Sequence, residues 1–238
     1  MNYFLKAVEW GKSALDLIKH VAELDNSSPA VIQIRHSERP TVNLREGGVN
    51  TALTERGEEA AYQFGSNLLL DRNYYLYHTD IDRTKITSEK IQQAILDNNG
   101  ASKIMGEIPL TSVVDVEAFR NLLLEIREEN ENERMRNLFH RWVSGLYPPW
   151  VMKPSLEFAQ EGAFLMMRYL EGAGPEDVHI WVSHETWVAA FLQHWLGECS
   201  FDWVSFMDGF ILQFHEDCMM SFFRGEKKEV KYPYWWNF

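Results

Sequence analysis

Apolar residues along this chain follow two spacings. Short, nearly unbroken runs occur at AVIQI (30–34), YYLYHT (74–79), TSVVDV (111–116), HIWVS (179–183), GFILQF (209–214) and CMMSFF (218–223). Such runs, rich in β-branched and aromatic residues, predict strands. Elsewhere apolar residues recur every three or four positions, which predicts helices. The first 24 residues form one such pattern, with Phe4, Leu5, Val8, Leu15, Ile18, Val21 and Ala22 on a common face. Others cover 53–70, 83–97, 155–171 and 185–196. Thr54 stands before a first turn containing Glu55 and Glu58, the chemistry of a helix N-cap. Residues 118–146 read as one long charged helix or a helical pair, with five Glu and five Arg between 120 and 141. Gly172-Ala173-Gly174-Pro175 ends the helix before it.

Strands alternating with helices predict an α/β domain of three layers, α/β/α, with a mostly parallel central sheet. The last two runs are close enough for an antiparallel pair. In open sheets of this kind a ligand binds beyond the carboxyl ends of the strands. Three polar clusters follow strands here: Arg35-His36 after AVIQI, Thr79 to Arg83 after YYLYH, and Ser183-His184-Glu185 after HIWV.

Composition narrows the function classes. The 238 residues suit one large domain or two small ones, with the single domain 1–238 the expected organisation, and the net charge is −12. A strongly acidic surface repels nucleic acid and anionic lipid, so neither is an expected partner. No apolar run reaches the roughly 18–20 residues that cross a bilayer. Charged residues interrupt the N-terminal pattern, which argues against a signal peptide and for a cytoplasmic protein. Cys199 and Cys218 are too few for a disulfide framework and are expected to be buried thiols. His194 falls on an apolar helix face and is expected in the core. The aromatic tail YPYWW (232–236) reads as docked on the domain or as a contact for a homo-oligomer.

The clusters carry anion chemistry. RHSERP (35–40) puts Arg35, His36 and Arg39 at one strand end, and guanidinium groups offer planar forks of donors to phosphate or carboxylate. Arg83 opens a helix, whose N-terminus also favours an anion. Glu185 beside His184 is a candidate proton donor. No HExxH or related spacing points to a metal, and no cofactor is expected.

Together these segments resemble the histidine phosphatase superfamily, which has the phosphoglycerate mutase-like fold. RHSERP is similar to the RHG signature, in the RHGxRxP form of the acid phosphatase branch, with Ser37 where the family has glycine. LTERGEEAAYQFGSNL resembles the L-T-x-x-G helix, with Leu53, Thr54 and Gly57 aligned. DRTKITSEKI resembles the R-x-x-x-T-A start, matching Arg83 and Thr87, with Ser88 for alanine. VSHETWVAAFL is similar to the segment that bears the second histidine.

The resemblance implies a metal-independent phosphomonoester hydrolase acting on a small phosphorylated substrate. His36 would be the nucleophile that forms a phosphohistidine. Arg35, Arg39, Arg83 and His184 would surround the phosphoryl oxygens. The proton donor would be Glu185 first, Glu117 second and Asp115 third, with a carboxyl pKa raised by burial. Residues 118–172 would be a helical cap over the site. A mutase-like phosphotransferase and a catalytically weak phosphate-binding scaffold remain as alternatives.

Overall fold

The computed structural model describes residues 3–41, 51–126, 130–199 and 202–236. Seven strands form one sheet: β1 (Ala30–Arg35), β2 (Asn73–His78), β3 (Ala101–Glu107), β4 (Asp177–Ser183), β5 (Gly209–Phe214), β6 (Cys218–Phe223) and β7 (Glu226–Lys231). Their order is β3-β2-β4-β1-β5-β6-β7. The first four run parallel, and β5, β6 and β7 add antiparallel strands beyond β1. β1, β4 and β5 are buried along their whole lengths, in keeping with their mostly apolar runs, although Gln33, His179 and Gln213 are buried with them.

Eight helices lie among the described residues: α1 (Tyr3–Ala7), α2 (Gly11–Val21), α3 (Glu55–Ser66), α4 (Asp82–Asp97), α5 (Val116–Glu125), α6 (Glu131–Val143), α7 (Ser155–Leu170) and α8 (Glu185–Leu196). They divide between two hydrophobic cores. Leu5, Leu17, Phe64 and Ile91 from α1–α4 pack with Ile32, Leu76 and Ile180 of the sheet. Leu123, Trp142, Phe158 and Phe191 from α5–α8 pack with Val31, Tyr77 and Trp181, which alternate with the first set along their strands. The three-layer α/β/α architecture follows directly from that alternation. No helix of the described residues is long and apolar enough to cross a membrane.

Several local expectations need correction. TSVVDV is not a strand. Val113 makes one isolated bridge to Met152, Val114 and Val116 are exposed, and α5 starts at Val116. The third strand is ASKIMGE instead, an edge strand whose residues alternate between exposed and half-buried. β7, EKKEVK, was not signalled at all, and its charges suit the opposite edge of the sheet. The N-terminal pattern divides into two helices, and where the second begins Gly11 passes so close to the first that a Cβ would stand 1.9 Å from the Leu5 carbonyl oxygen. The 118–146 pattern is a helical pair. The residues between its helices, 127–129, lie outside the described set.

The aromatic tail is docked. Trp236 is buried against Trp195, their ring centroids 5.2 Å apart, and the Tyr232 hydroxyl donates to the His215 carbonyl at 2.7 Å. Cys199 is exposed and Cys218 half-buried, so neither is the core thiol expected. His194 is half-buried, with Nε2 3.0 Å from the Ser155 hydroxyl.

Candidate active site

β2, β4 and β1 are adjacent parallel strands, and the residues that leave their carboxyl ends converge. β1 delivers Arg35 and His36, β4 delivers His184 and Glu185, and β2 delivers Thr79 and then Arg83 on α4. Main-chain bonds fix the turn after β1. Arg35 N donates to Asp208 O and His36 N to Ser183 O, each at 2.9 Å.

The loop 36–40 is clamped from two helices. Thr54 caps α3 by accepting from Gly57 N at 2.9 Å, and its own N–H donates to Glu38 O at 3.0 Å. Gly57 runs against the same carbonyl, where a Cβ would lie only 2.1 Å from Glu38 O. From α4, Thr87 Oγ1 accepts from Ser37 N at 3.1 Å and donates to Arg83 O at 2.7 Å. Leu53-Thr54-x-x-Gly57 and Arg83-x-x-x-Thr87 therefore hold the loop that carries His36 and Arg39. Ser37 is fully buried, and its hydroxyl has no hydrogen-bond partner among the described residues.

The hydrogen bonds assign the histidine tautomers. His36 Nδ1 is 2.7 Å from Ser37 O, which can only accept, so Nδ1 carries the proton. Nε2 accepts from Arg83 Nε at 2.9 Å and holds the lone pair. Arg83 also donates from Nη2 to His184 Nδ1 at 3.3 Å. His184 Nε2 then bears its proton and donates to Thr79 Oγ1 at 3.1 Å. The Thr79 hydroxyl in turn donates to Thr84 Oγ1 at 2.9 Å, and Thr84 donates to Ile81 O at 2.7 Å. Burial first, and then the Arg83 guanidinium, hold both imidazoles far below the ordinary 6.5. Both rings are neutral near pH 7. Burial also draws Arg83 down to about 10, which leaves it charged.

Each of the other two arginines is paired with a carboxylate. Arg35 Nε lies 3.1 Å from Glu185 Oε2, off the N–H axis, as an ion pair between two buried side chains. Its Nη1 donates to Val204 O at 2.8 Å, and its guanidinium stacks 4.4 Å from the Phe206 ring centroid. Burial by itself would raise the Glu185 carboxyl. The charges of Arg35 and Arg39 outweigh that and bring it to about 2. Arg39 makes a two-pronged contact with Glu131, at 2.6 Å from Nη2 and 3.3 Å from Nη1, and Nη1 also donates to Pro40 O at 2.9 Å.

Of the residues expected from sequence, Arg35, His36, Arg39, Arg83, His184 and Glu185 form one mutually interacting group. The raised carboxyl expected for Glu185 is reversed, because sequence spacing does not show that Arg35 ends beside it. Glu117 is exposed in the first turn of α5. Asp115 is the N-cap of that helix and accepts from Ala118 N at 2.9 Å. Sequence reasoning missed Glu131, Phe206 and the contacts that Thr79, already placed in a strand-end cluster, makes with His184 and Thr84. Only the threonines carried a signal, since they flank Arg83. Among the described residues no cluster of His, Cys, Asp or Glu could hold a metal ion.

The arrangement sets a neutral imidazole lone pair among three arginines at the carboxyl end of a parallel sheet. Residues 31–206 match the model of the histidine phosphatase superfamily (branch 1). The chain belongs to that superfamily. Among solved structures the fold is similar to phosphoglycerate mutase from Bacillus anthracis, with 12% identity, 87% of this chain and 94% of that one covered, and a TM-score of 0.52. It is also similar to the mycobacterial glucosyl-3-phosphoglycerate phosphatase, with 13% identity, coverage of 85% and 97%, and a TM-score of 0.52. No curated protein matches the chain significantly in sequence.

Proposed function

We propose that this protein is a phosphomonoester hydrolase that works through a phosphohistidine on His36 and needs no metal. The observation that carries the reading is the His36 ring. Its Nδ1 proton is held by Ser37 O and its Nε2 lone pair faces Arg83. A neutral, oriented imidazole is the reactive form of a nitrogen nucleophile, and a covalent intermediate divides one difficult displacement into two easier ones.

In the first step the phosphoryl group takes the Arg83 contact, and His36 Nε2 forms the N–P bond as the ester P–O bond breaks. In the second, water attacks the same phosphorus, the N–P electron pair returns to Nε2, and the proton the water gives up goes back to the group that protonated the leaving oxygen. Arg83, Arg39 and Arg35 meet the charge on the phosphoryl oxygens, which preplaced donors stabilise without reorganisation. His184, with Nε2–H committed to Thr79, holds the Arg83 guanidinium in line with both rings. Glu185 stays ionised and anchors Arg35, so the leaving oxygen takes its proton from another group. Glu117, exposed in the first turn of α5, is the next candidate. The substrate is a small phosphoester, because the net charge of −12 around a local cationic site repels long polyanions.

The test is turnover of p-nitrophenyl phosphate in the presence of EDTA. Wild type is expected to release phosphate and His36→Ala to release none. Wild-type activity abolished by EDTA would overturn the metal-free mechanism. Phosphate binding without turnover between pH 4 and 8 would leave a binding protein.

A further inference from the structure

The anion site carries its own carboxylates. Arg35, Arg39 and Arg83 supply three positive charges, and Glu185 and Glu131 return two negative ones. With both imidazoles neutral, the pocket is left at +1, too little to match a phosphomonoester dianion. One of the two carboxylates must give way for the charges to balance, and the two differ in their freedom to do so.

Glu185 is fixed. It begins α8 directly after β4, and its side chain is 6% exposed. Glu131 begins α6, and its side chain is 23% exposed, so water reaches it. Its partner Arg39 is 5% exposed and held from behind by Pro40 O. The fork of Arg39 therefore stays in the site while the carboxylate on it is accessible. A guanidinium fork accepts a carboxylate or a phosphoryl group with the same two-donor geometry. When Glu131 leaves Arg39 it remains in the first turn of α6, where the helix dipole favours a negative charge and Asn130 already caps Asn132 N at 2.8 Å.

We propose that Glu131 is the exchangeable counter-ion of this site. A phosphoryl dianion displaces its carboxylate from Arg39, and that competition sets the affinity for phosphate. The proposal rests on the phosphoryl-binding reading above and adds a residue that sets affinity through its contact with Arg39. Displacement takes the pocket from +1 to +2, equal to the charge of the incoming group. It also makes the first turn of α6 the part of the chain that responds to substrate.

The experiment is calorimetric titration of the full-length protein with inorganic phosphate and with orthovanadate. Glu131→Gln keeps the shape and removes the competing charge, so phosphate is expected to bind about tenfold tighter, the scale of a charge-assisted pair. Glu131→Asp, with a shorter reach to Arg39, should fall between Gln and wild type. In an Arg39→Gln background the Glu131→Gln gain should vanish, because the two residues act on one contact. Unchanged or weaker phosphate binding in a folded Glu131→Gln protein overturns the proposal while leaving the phosphatase reading intact. A loss of turnover in Glu131→Gln that grows with the basicity of the leaving group also overturns it and makes Glu131 the proton donor. If wild type neither binds phosphate nor turns over p-nitrophenyl phosphate, the functional reading fails and this one fails with it.

Discussion

Replacing Glu185 by glutamine separates the two roles this carboxylate could have. As an anchor of Arg35 it must be ionised in the folded protein, and as a proton donor it must be protonated. Its carboxyl lies at about 2 instead of the ordinary 4.5, because the Arg35 and Arg39 charges overcome the opposing effect of burial. That difference is worth about 3 kcal/mol of folding free energy, at about 1.4 kcal/mol per tenfold. Loss of one partner from a buried pair costs about 3–5 kcal/mol, so the two routes to the magnitude agree. The sign is fixed by the direction of the shift. A depressed carboxyl contributes stability that is complete above 4.5 and is lost as the pH falls through about 2.

Urea unfolding of wild type and Glu185→Gln, followed by circular dichroism, should therefore give a gap of about 3 kcal/mol at pH 7 that falls below half by about pH 3. A gap under about 1 kcal/mol at pH 7, or one that widens on acidification, would refute the pairing argument. So would a variant of wild-type stability that loses activity only on esters with basic leaving groups, since that is the signature of a lost acid.

The remaining predictions concern the loop and the two rings. The acid limb of kcat/KM should lie well below 6.5, since burial and then Arg83 keep His36 neutral there; Arg83→Gln should move that limb upward while lowering kcat, which a pH–rate profile reads directly. Gly57→Ala should cost about 1–3 kcal/mol in thermal unfolding and weaken phosphate binding, because its methyl group meets Glu38 O and pushes the loop that carries Arg39. Phe206→Leu should remove the face that Arg35 stacks on, costing about 1–2 kcal/mol. Titration with vanadate should show it as weaker binding, and Trp10→Ala should do the same to a smaller extent, since Trp10 packs edge-on against Phe206 at 5.8 Å.

The central sheet was legible because its inner strands are buried on both faces. AVIQI, HIWVS and GFILQF do not show a polar-out alternation, so the mostly apolar run itself marks the strand. The same physics hides the edges. ASKIMGE and EKKEVK are half in water, and their strand pairing comes from β2 and β6, not from their own composition. TSVVDV misled for the converse reason, since β-branched residues at the entry to α5 cover no sheet.

At the site, the residues delivered by strand ends could be found from order and spacing. The contacts made from far along the chain could not. Glu131 reaches Arg39 across 92 positions, and no pattern in the charged stretch 120–141 distinguishes it from its neighbours. The protonation of Glu185 had the same blind spot. Sequence places a carboxyl beside His184, but only the fold brings Arg35 to within 3.1 Å of it.

One measurement bears most directly on the central claim. Rapid mixing with a ³²P-labelled phosphomonoester, quenched under alkaline denaturing conditions that preserve phosphohistidine, should give labelled protein at up to about one phosphate per chain. The label should be acid-labile, lie in the peptide containing His36, and be absent from His36→Ala. Steady release of phosphate with no labelled protein, or an equal label on His36→Ala, would contradict the account.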